Sequence, residues 1–387
     1  TGKSPVGAYK SFSDKPALRV GGWINAIIPI LIVPYYSVIG GWVIKYLAEY
    51  LMGKAHLVAE DGYFSSFISN GVSSELCFLV FTAMTLAIIF AGVENGIERV
   101  SKIMMPILVV LSLIIAVYSV TRPGALEGVK YFLVPNLDNF SWMTVVSAMG
   151  QMFYSLSIAM GILITFGSYM KKDVSIESST RNVEVFDTAI AIMAGLMIIP
   201  AVFAFSGGDP GALKAGPSLM FITIPKVFDS MGFGTVIGIA FFLLVLFAAL
   251  TSAISLVETL VSIVHDGLQC TRAKALGIVI AFVVIAGAII NAGYNGLSFI
   301  EPLGAGSSIL DFADFISNSV LMPIVALLTC VFVGWIVKPK TIIDEVRISS
   351  KFSAAGAWTI MIKYIAPVLV IIILVAYVAA QFGFFSM

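Results

Sequence analysis

Charge, histidine and cysteine are all in short supply. Of 387 residues 11% are charged and two are histidine, against about 25% charged in a typical soluble domain. A water-soluble enzyme of ordinary composition is excluded. His56 and His265 are far apart in the chain, no nucleophile and base pair up around either, and no phosphate-cradling glycine loop is spelled out. Nothing here reads as a catalytic triad or a histidine metal cluster. Cys77, Cys270 and Cys330 are an odd number without paired spacing, which argues against a disulfide framework or a thiolate metal site; they are expected to pack as small apolar side chains. The 22 basic and 22 acidic residues cancel, leaving no electrostatic footprint for nucleic acid. Segments of about ten residues alternating in polarity, the mark of a membrane barrel, are missing too.

What the chain has is apolar length. Hydrophobic residues make up 59% of it, in recurring runs of about 18 or more, each enough to cross a hydrocarbon core of about 30 Å as a helix. Hydropathy places about nine spans, at residues 22–50, 76–94, 103–121, 142–170, 183–206, 235–265, 273–290, 308–337 and 357–383. Backbone groups in lipid are satisfied inside helices. The fold class is therefore an all-α membrane protein. With the N-terminus in the cytoplasm, one side collects sixteen of the 22 basic residues, and the other only Lys45, Lys54, Arg122, Lys130, Lys214 and Lys226. That asymmetry predicts a multi-pass plasma (inner) membrane protein with its N-terminus inside and its C-terminus outside. Residues 207–234 carry turn signals around a short amphipathic piece and read as an external loop with its own helix, suited to act as a lid.

The polar interruptions of these spans are where chemistry is expected. In the fourth span, GQMFYSLSIAMG (150–161) sets Gln151, Ser155 and Ser157 between glycines. Such a stretch is either a continuous helix with serines bonded back to main-chain carbonyls, or an unwound segment lining a cavity, whose helix ends offer partial charges to ions and ligands. In the sixth, FAALTSAISLVE (247–258) places Thr251 and Ser252 on the face that holds the Ala248 carbonyl. Converging neutral oxygens suit a hard cation such as sodium, and the same spacing suits hydroxyls that simply back-bond. Tyr35 and Tyr36 put phenols at mid-membrane, where each needs a partner. Of the acids in or beside spans, Asp187 and Glu258 sit deepest, and Asp266, Asp311 and Asp314 lie near span ends. An unpaired Glu258 at that depth is expected to be a neutral, hydrogen-bonded acid.

Taken together, PYYSVIGGW, GVENGIERVSKIMMP, GQMFYSLSIAMG, GPSLMFITIPKVF, FAALTSAISLVE and SSILDFADFIS resemble, in order and approximate spacing, the neurotransmitter:sodium symporter family in its bacterial amino-acid-transporting branch. The resemblance implies an inverted-repeat symporter fold with a broken helix at 142–170, the nine spans standing for helices three to eleven of eleven and the first two absent. By the same resemblance residues 1–20 form a cytoplasmic connection, 21–121 the remnant of a first repeat, 142–337 a complete second repeat, and 338–387 a cytoplasmic loop and last helix. It makes Ala248, Thr251 and Ser252 part of one sodium site, and Ser155 and Asp187 part of a second. Asp187 stands where many members have asparagine, and Ala191 stands where chloride-independent members often carry a carboxylate. The expectation is that Asp187 supplies the negative charge that chloride gives elsewhere, so that chloride is not required. The substrate pocket implied is Ile32, Tyr36, Tyr154, Ser157, Met160, Ser252 and Leu256. Tyr36 and Tyr154 close it from outside, Asp314 belongs to an outer gate and Asp266 to an inner one.

The function so implied is sodium-coupled symport of a neutral, hydrophobic or aromatic amino acid by alternating access, with lipid as surroundings and a homodimer as a conceivable assembly. The expectation for this chain is that it is a partial sequence not competent for coupled transport alone. Two alternatives stand beside that reading: a naturally truncated, non-transporting membrane partner, and a proton-coupled amino-acid transporter of the same fold.

Overall fold

The computed structural model describes residues 1–12, 16–214 and 216–381. Among the described residues every regular element is helical. A short α1 (Pro5–Phe12) leads to α2 (Pro16–Leu51), 36 residues long with Pro29 and Pro34 inside it. Two short helices, α3 (Ala55–Val58) and α4 (Tyr63–Ser69), connect it to α5 (Gly71–Phe90). A π-type turn, Val93–Glu98, opens α6 (Arg99–Val120), and α7 (Ala125–Leu133) follows. The next crossing is divided into α8 (Trp142–Ser155) and α9 (Ile162–Tyr169), after which α10 (Ile176–Ser206) runs unbroken. The stretch expected to be a loop with its own helix holds α11 (Gly216–Ser218) and α12 (Ile224–Asp229), joined by a π-type turn. Then come α13 (Gly234–Leu268) and α14 (Arg272–Ala292). A crossing over Ile309–Val337 comprises α15 (Ile309–Asp314), α16 (Met322–Val331) and a π-type turn after each. It is followed by α17 (Pro339–Ser349), and the last crossing joins α18 (Ala355–Ile360) to α19 (Ala366–Gln381).

Among the described residues eight helices are long and apolar enough to cross a membrane. The ninth span expected, 142–170, is the one interrupted. The predicted end of the last span, residue 383, lies outside the described residues.

Burial separates an axis from a periphery. In α2 67% of the most apolar window is buried and in α13 56%, against 17% in the last crossing, so α2 and α13 form the axis and the last crossing faces lipid. The two axial helices pack on each other more extensively than any other pair, with α5 and α14 against α2, and α6 against α13 and α10. Without a hydrophobic drive between helices in lipid, close approach comes from small residues at the crossings. A Cβ on Gly41 of α2 would stand 2.6 Å from the Phe78 nitrogen and 2.7 Å from its Cα, and one on Gly238 of α13 would stand 2.0 Å from Cε1 of buried Tyr50.

The α11–α12 segment is tied to α2 and to the α3–α4 connection. Tyr46 donates its hydroxyl to the Phe221 carbonyl at 2.7 Å, His56 Nδ1 lies 2.9 Å from Asp229 Oδ2, and Lys226 pairs with Asp61. The Lys226 ammonium holds the Asp61 carboxyl below the usual carboxylate range.

Because the Gly41 contact is with main chain, nothing flexible can yield to a methyl group. Gly41→Ala is expected to destabilise by about 1–3 kcal/mol, as overpacking does, and to lower the melting temperature of the detergent-solubilised protein. Gly277→Ala, whose Cβ meets open space, is the control and leaves melting unchanged or higher.

Candidate substrate and ion site

Helix α8 ends because its last turn tightens into an irregular one. The Leu156, Ser157 and Ile158 amides reach back to the Met152, Tyr154 and Phe153 carbonyls at 3.0, 3.1 and 3.0 Å. Ser157 and Ala159 then take positive φ of 54° and 64°, a region that costs a side-chain-bearing residue on the order of 1–3 kcal/mol. Gly161, at φ +79°, opens α9, and a Cβ there would stand 2.8 Å from Asn25 Oδ1. The break thus leaves carbonyls at the end of α8 and amides at the start of α9, pointing along the two half-helix dipoles. Of the two readings the sequence left open, the unwound one describes the molecule.

Around the break α2, α6, α8, α9 and α13 enclose a cavity of about 440 Å³, within the range of small-molecule sites. All seven residues expected to line a substrate pocket do line it: Ile32, Tyr36, Tyr154, Ser157, Met160, Ser252 and Leu256. Ser155 and Thr251, two of the expected ion ligands, lie on its wall as well. Asp187 and Ala248 stand behind that wall. Ser155 donates to Asp187 Oδ1 at 2.5 Å, while the Thr251 hydroxyl lies 3.0 Å from the carbonyls of both Ala248 and Phe247. The back-bonded geometry and the convergence of oxygens are therefore one arrangement in this helix.

The expected gate residues separate. Tyr36 and Tyr154 face the cavity, but Asp314 and Asp266 do not line it. Asp314 accepts from Asn318 Nδ2 at 2.6 Å, and the same amide nitrogen reaches the Tyr35 hydroxyl at 3.2 Å. Asp266 accepts the Ser4 amide at 2.7 Å and borders a second cavity of about 480 Å³ with Ser262, Tyr169 and Arg272. Asp311 is the capping-box partner of Ser308 at the start of α15, a structural duty.

Glu258 corrects an expectation. It is fully buried, yet it is not an unpaired acid: Arg272 Nη1 and Nη2 each lie 2.7 Å from one of its oxygens, and the Tyr169 hydroxyl donates to Oε1 at 2.8 Å. The short turn between α13 and α14 folds the arginine back along the helix it follows. A bidentate guanidinium with a third donor gives both buried oxygens hydrogen-bond partners. In the sequence Arg272 falls between the expected spans 235–265 and 273–290, and nothing in its spacing from Glu258 signals the pair.

Ser101, Met105, Gln151, Ile162 and Ser255 also line the first cavity. Gln151 stands out as a polar interruption and Ser255 lies one turn beyond Thr251 on the same face, whereas Ser101 and Met105, though inside the GVENGIERVSKIMMP string, have no chemistry that marks them as lining residues.

With this geometry in hand, comparison with known proteins is decisive. The model of the sodium:neurotransmitter symporter family matches residues 64–383. The chain belongs to that family. An uncharacterised sodium-dependent transporter of Bacillus subtilis is 34% identical over 373 residues, covering 95% of this chain and 81% of the relative. One of Haemophilus influenzae is 30% identical over 371 residues, 92% of this chain and 79% of the relative. Among solved structures, that of MhsT in complex with L-phenylalanine superposes with a TM-score of 0.85 at 33% identity, over 97% of this chain and 85% of that one. This symporter-family chain is a multi-pass, sodium-dependent membrane transporter, and its relatives are transporters rather than enzymes.

The Glu258–Arg272 pair gives an asymmetric prediction. Arg272→Gln strands a carboxylate with no exposure, a loss on the order of 3–5 kcal/mol, whereas Glu258→Gln leaves an arginine whose side chain is 38% exposed to find water. Thermal unfolding of purified protein should therefore fall further for Arg272→Gln, and adding Glu258→Gln to it should restore part of the loss. Equal losses for the two single variants would contradict the assignment.

Proposed function

We propose that this transporter couples the sodium gradient to symport of a neutral amino acid with an apolar or aromatic side chain. The observation that carries the reading is the cavity at the helix break, whose described lining contains no charged residue while Ile32, Met160 and Leu256 form a buried apolar wall. A charged substrate side chain would be stranded there without a partner. An amino acid's own carboxylate and ammonium are small and fixed, and neutral dipoles suffice for them. In this reading the Tyr36 hydroxyl donates to the carboxylate, carbonyls freed at residues 156–161 receive the ammonium, and the Tyr36 and Tyr154 rings cover the substrate. The solved relative held L-phenylalanine, which suits the same choice.

The ion sites in this proposal use Ala248, Thr251 and Ser252 for one sodium, and Ser155 with Asp187 for a second. Their donors fit: hydroxyl and carbonyl oxygens with one carboxylate are the hard ligands such a cation takes. Bound sodium would supply positive charge beside the substrate carboxylate. The Thr251 and Ser252 hydroxyls turn their oxygens to it, and Asp187 balances the charge in place of chloride. Asp314 and Asp266 belong to the outer and inner gates, with the N-terminus cytoplasmic.

Reconstituted in proteoliposomes, the intact transporter is expected to take up phenylalanine or leucine under a sodium gradient, to fail when choline replaces sodium, and to be indifferent to replacing chloride by gluconate. Tyr36→Phe removes one charge-assisted hydrogen bond and should weaken substrate binding roughly 10- to 100-fold. Asp187→Asn should make uptake chloride-stimulated. Uptake driven by a proton gradient in sodium-free buffer, or lysine taken up as well as leucine, would overturn the reading.

A further inference from the structure

A different cavity, remote from the substrate site, lies where the last two crossings meet at one membrane face. It measures about 580 Å³ and sits between the π-type turn Phe332–Val337, α17 and the start of the α18–α19 crossing. Lys338, Lys340, Arg347 and Lys363 line it against a single carboxylate, Asp344. In a chain of zero net charge, four cations against one anion is a concentrated excess. Among the described residues none of the four makes an ion pair. The contrast with a neighbouring cavity of about 620 Å³ is informative: there Lys171 and Lys172 are balanced by Glu184 and Glu345.

The cationic cavity is also built. Lys338 holds φ +70° and ψ 137°, a conformation rare for a residue with a side chain and one that persists where surroundings impose it, often at ligand clamps. Lys363 is laid over the Trp335 ring, 5.3 Å from its centroid, and packs on Gly334, where a Cβ would stand 3.2 Å from the lysine Cγ. Tyr364 meets Trp335 edge-on at 5.7 Å. Both rings are more than half exposed, as in the aromatic belt at a membrane–water interface. Directly along the helix from Tyr364, exposed Val368, Ile371 and Val375 continue one apolar stripe at helical spacing into the lipid-facing crossing. The cavity therefore lies at headgroup level with a track for hydrocarbon leading away from it.

We propose that this cavity binds the phosphate-bearing headgroup of an anionic phospholipid, whose acyl chain runs along the Tyr364–Val375 stripe. Lys338, Lys340 and Arg347 surround the phosphate from the α17 side and Lys363 from the last crossing, so an occupied site would tie those two elements together. Basic pockets between membrane helices recognise lipid phosphates by this charge chemistry.

The test is retention of lipid by the intact protein. Protein from nanodiscs containing equal shares of phosphatidylglycerol and phosphatidylcholine is released into detergent and its bound lipid counted by native mass spectrometry. The unmodified protein should keep phosphatidylglycerol in preference. Lys340→Gln and Arg347→Gln, both exposed changes, should each reduce that preference about fivefold, and the combined Lys338→Gln/Lys340→Gln/Arg347→Gln/Lys363→Gln variant should abolish it. Lys171→Gln/Lys172→Gln, in the charge-balanced cavity, should leave it intact. The singles keep the proposal testable where the combined variant does not fold. Unchanged preference in the singles would overturn it. So would inorganic phosphate raising the melting temperature in detergent as much as short-chain phosphatidylglycerol does, since the occupant would then be a free anion.

Discussion

A main-chain amide or carbonyl at the depth of the bilayer has no water to turn to. Every irregularity in this molecule is arranged around that constraint. Residues 156–161 interrupt a crossing, and the interruption is kept inside protein: α2 and α13 lie on one side of it, α6 on another, and the cavity takes up the polar groups that the missing helical turn releases. The left-handed Ser157 and Ala159 add local strain, so the break is not the conformation the sequence would choose alone. At Gly161 packing is tight on three sides, a Cβ standing 2.8 Å from Asn25 Oδ1, 3.0 Å from Thr259 Cγ2 and 3.1 Å from Pro5 Cγ, and the φ of +79° itself favours glycine.

The axis beside the break shows how the architecture serves the site. The windows of α2 and α13 are the most buried of the crossings, with Gly238 of α13 seated on Tyr50 of α2 and Gly41 seating α2 on α5. From this rigid pair come Ile32, Tyr36, Thr251, Ser252 and Leu256, while the broken crossing contributes Tyr154, Ser155, Ser157 and Met160. A site on rigid helices keeps its geometry more closely than one on loops. One wall of this cavity has that property, and the opposite wall is a pair of half-helices of 14 and 8 residues with an irregular joint. Relative movement costs least at that joint, because there the helical hydrogen bonds are already absent.

Much of this was legible in the sequence. Apolar run lengths located the crossings, since lipid thickness sets a minimum that few other constraints imitate. The 150–161 string flagged the break, although glycines and serines alone did not separate an unwound turn from a back-bonded helix; the residues packed on Gly161, namely Pro5, Asn25 and Thr259, are all far away in the chain. Of the residues expected at the substrate pocket, all but Ile32 lie within strings that resemble the family, and Ile32 stands two residues before one. Ser101 and Met105 escaped, being an ordinary serine and methionine on a helix whose orientation is fixed only by tertiary packing. Glu258 was misread for a related reason. Hydropathy assigns Arg272 to water, and only the tight turn between α13 and α14 brings its guanidinium back beside the carboxylate.

Charge placement shows the same economy. Four carboxylates in or beside the crossings have identified partners: Glu258 the guanidinium and a phenol, Asp314 the Asn318 amide, Asp266 the Ser4 main chain, Asp187 the Ser155 hydroxyl. None of the four lines the cavity at the break, so the field inside it comes from hydroxyls, phenols and helix ends. A fixed charge on the wall would bind an opposite charge strongly in low dielectric and release it slowly. A carrier must release what it binds. In the proposed function, neutral oxygens would hold a monovalent cation and a zwitterion firmly enough to select them while leaving no uncompensated charge once they depart, and Asp187, one hydrogen bond behind Ser155, would bias the site without becoming part of its surface.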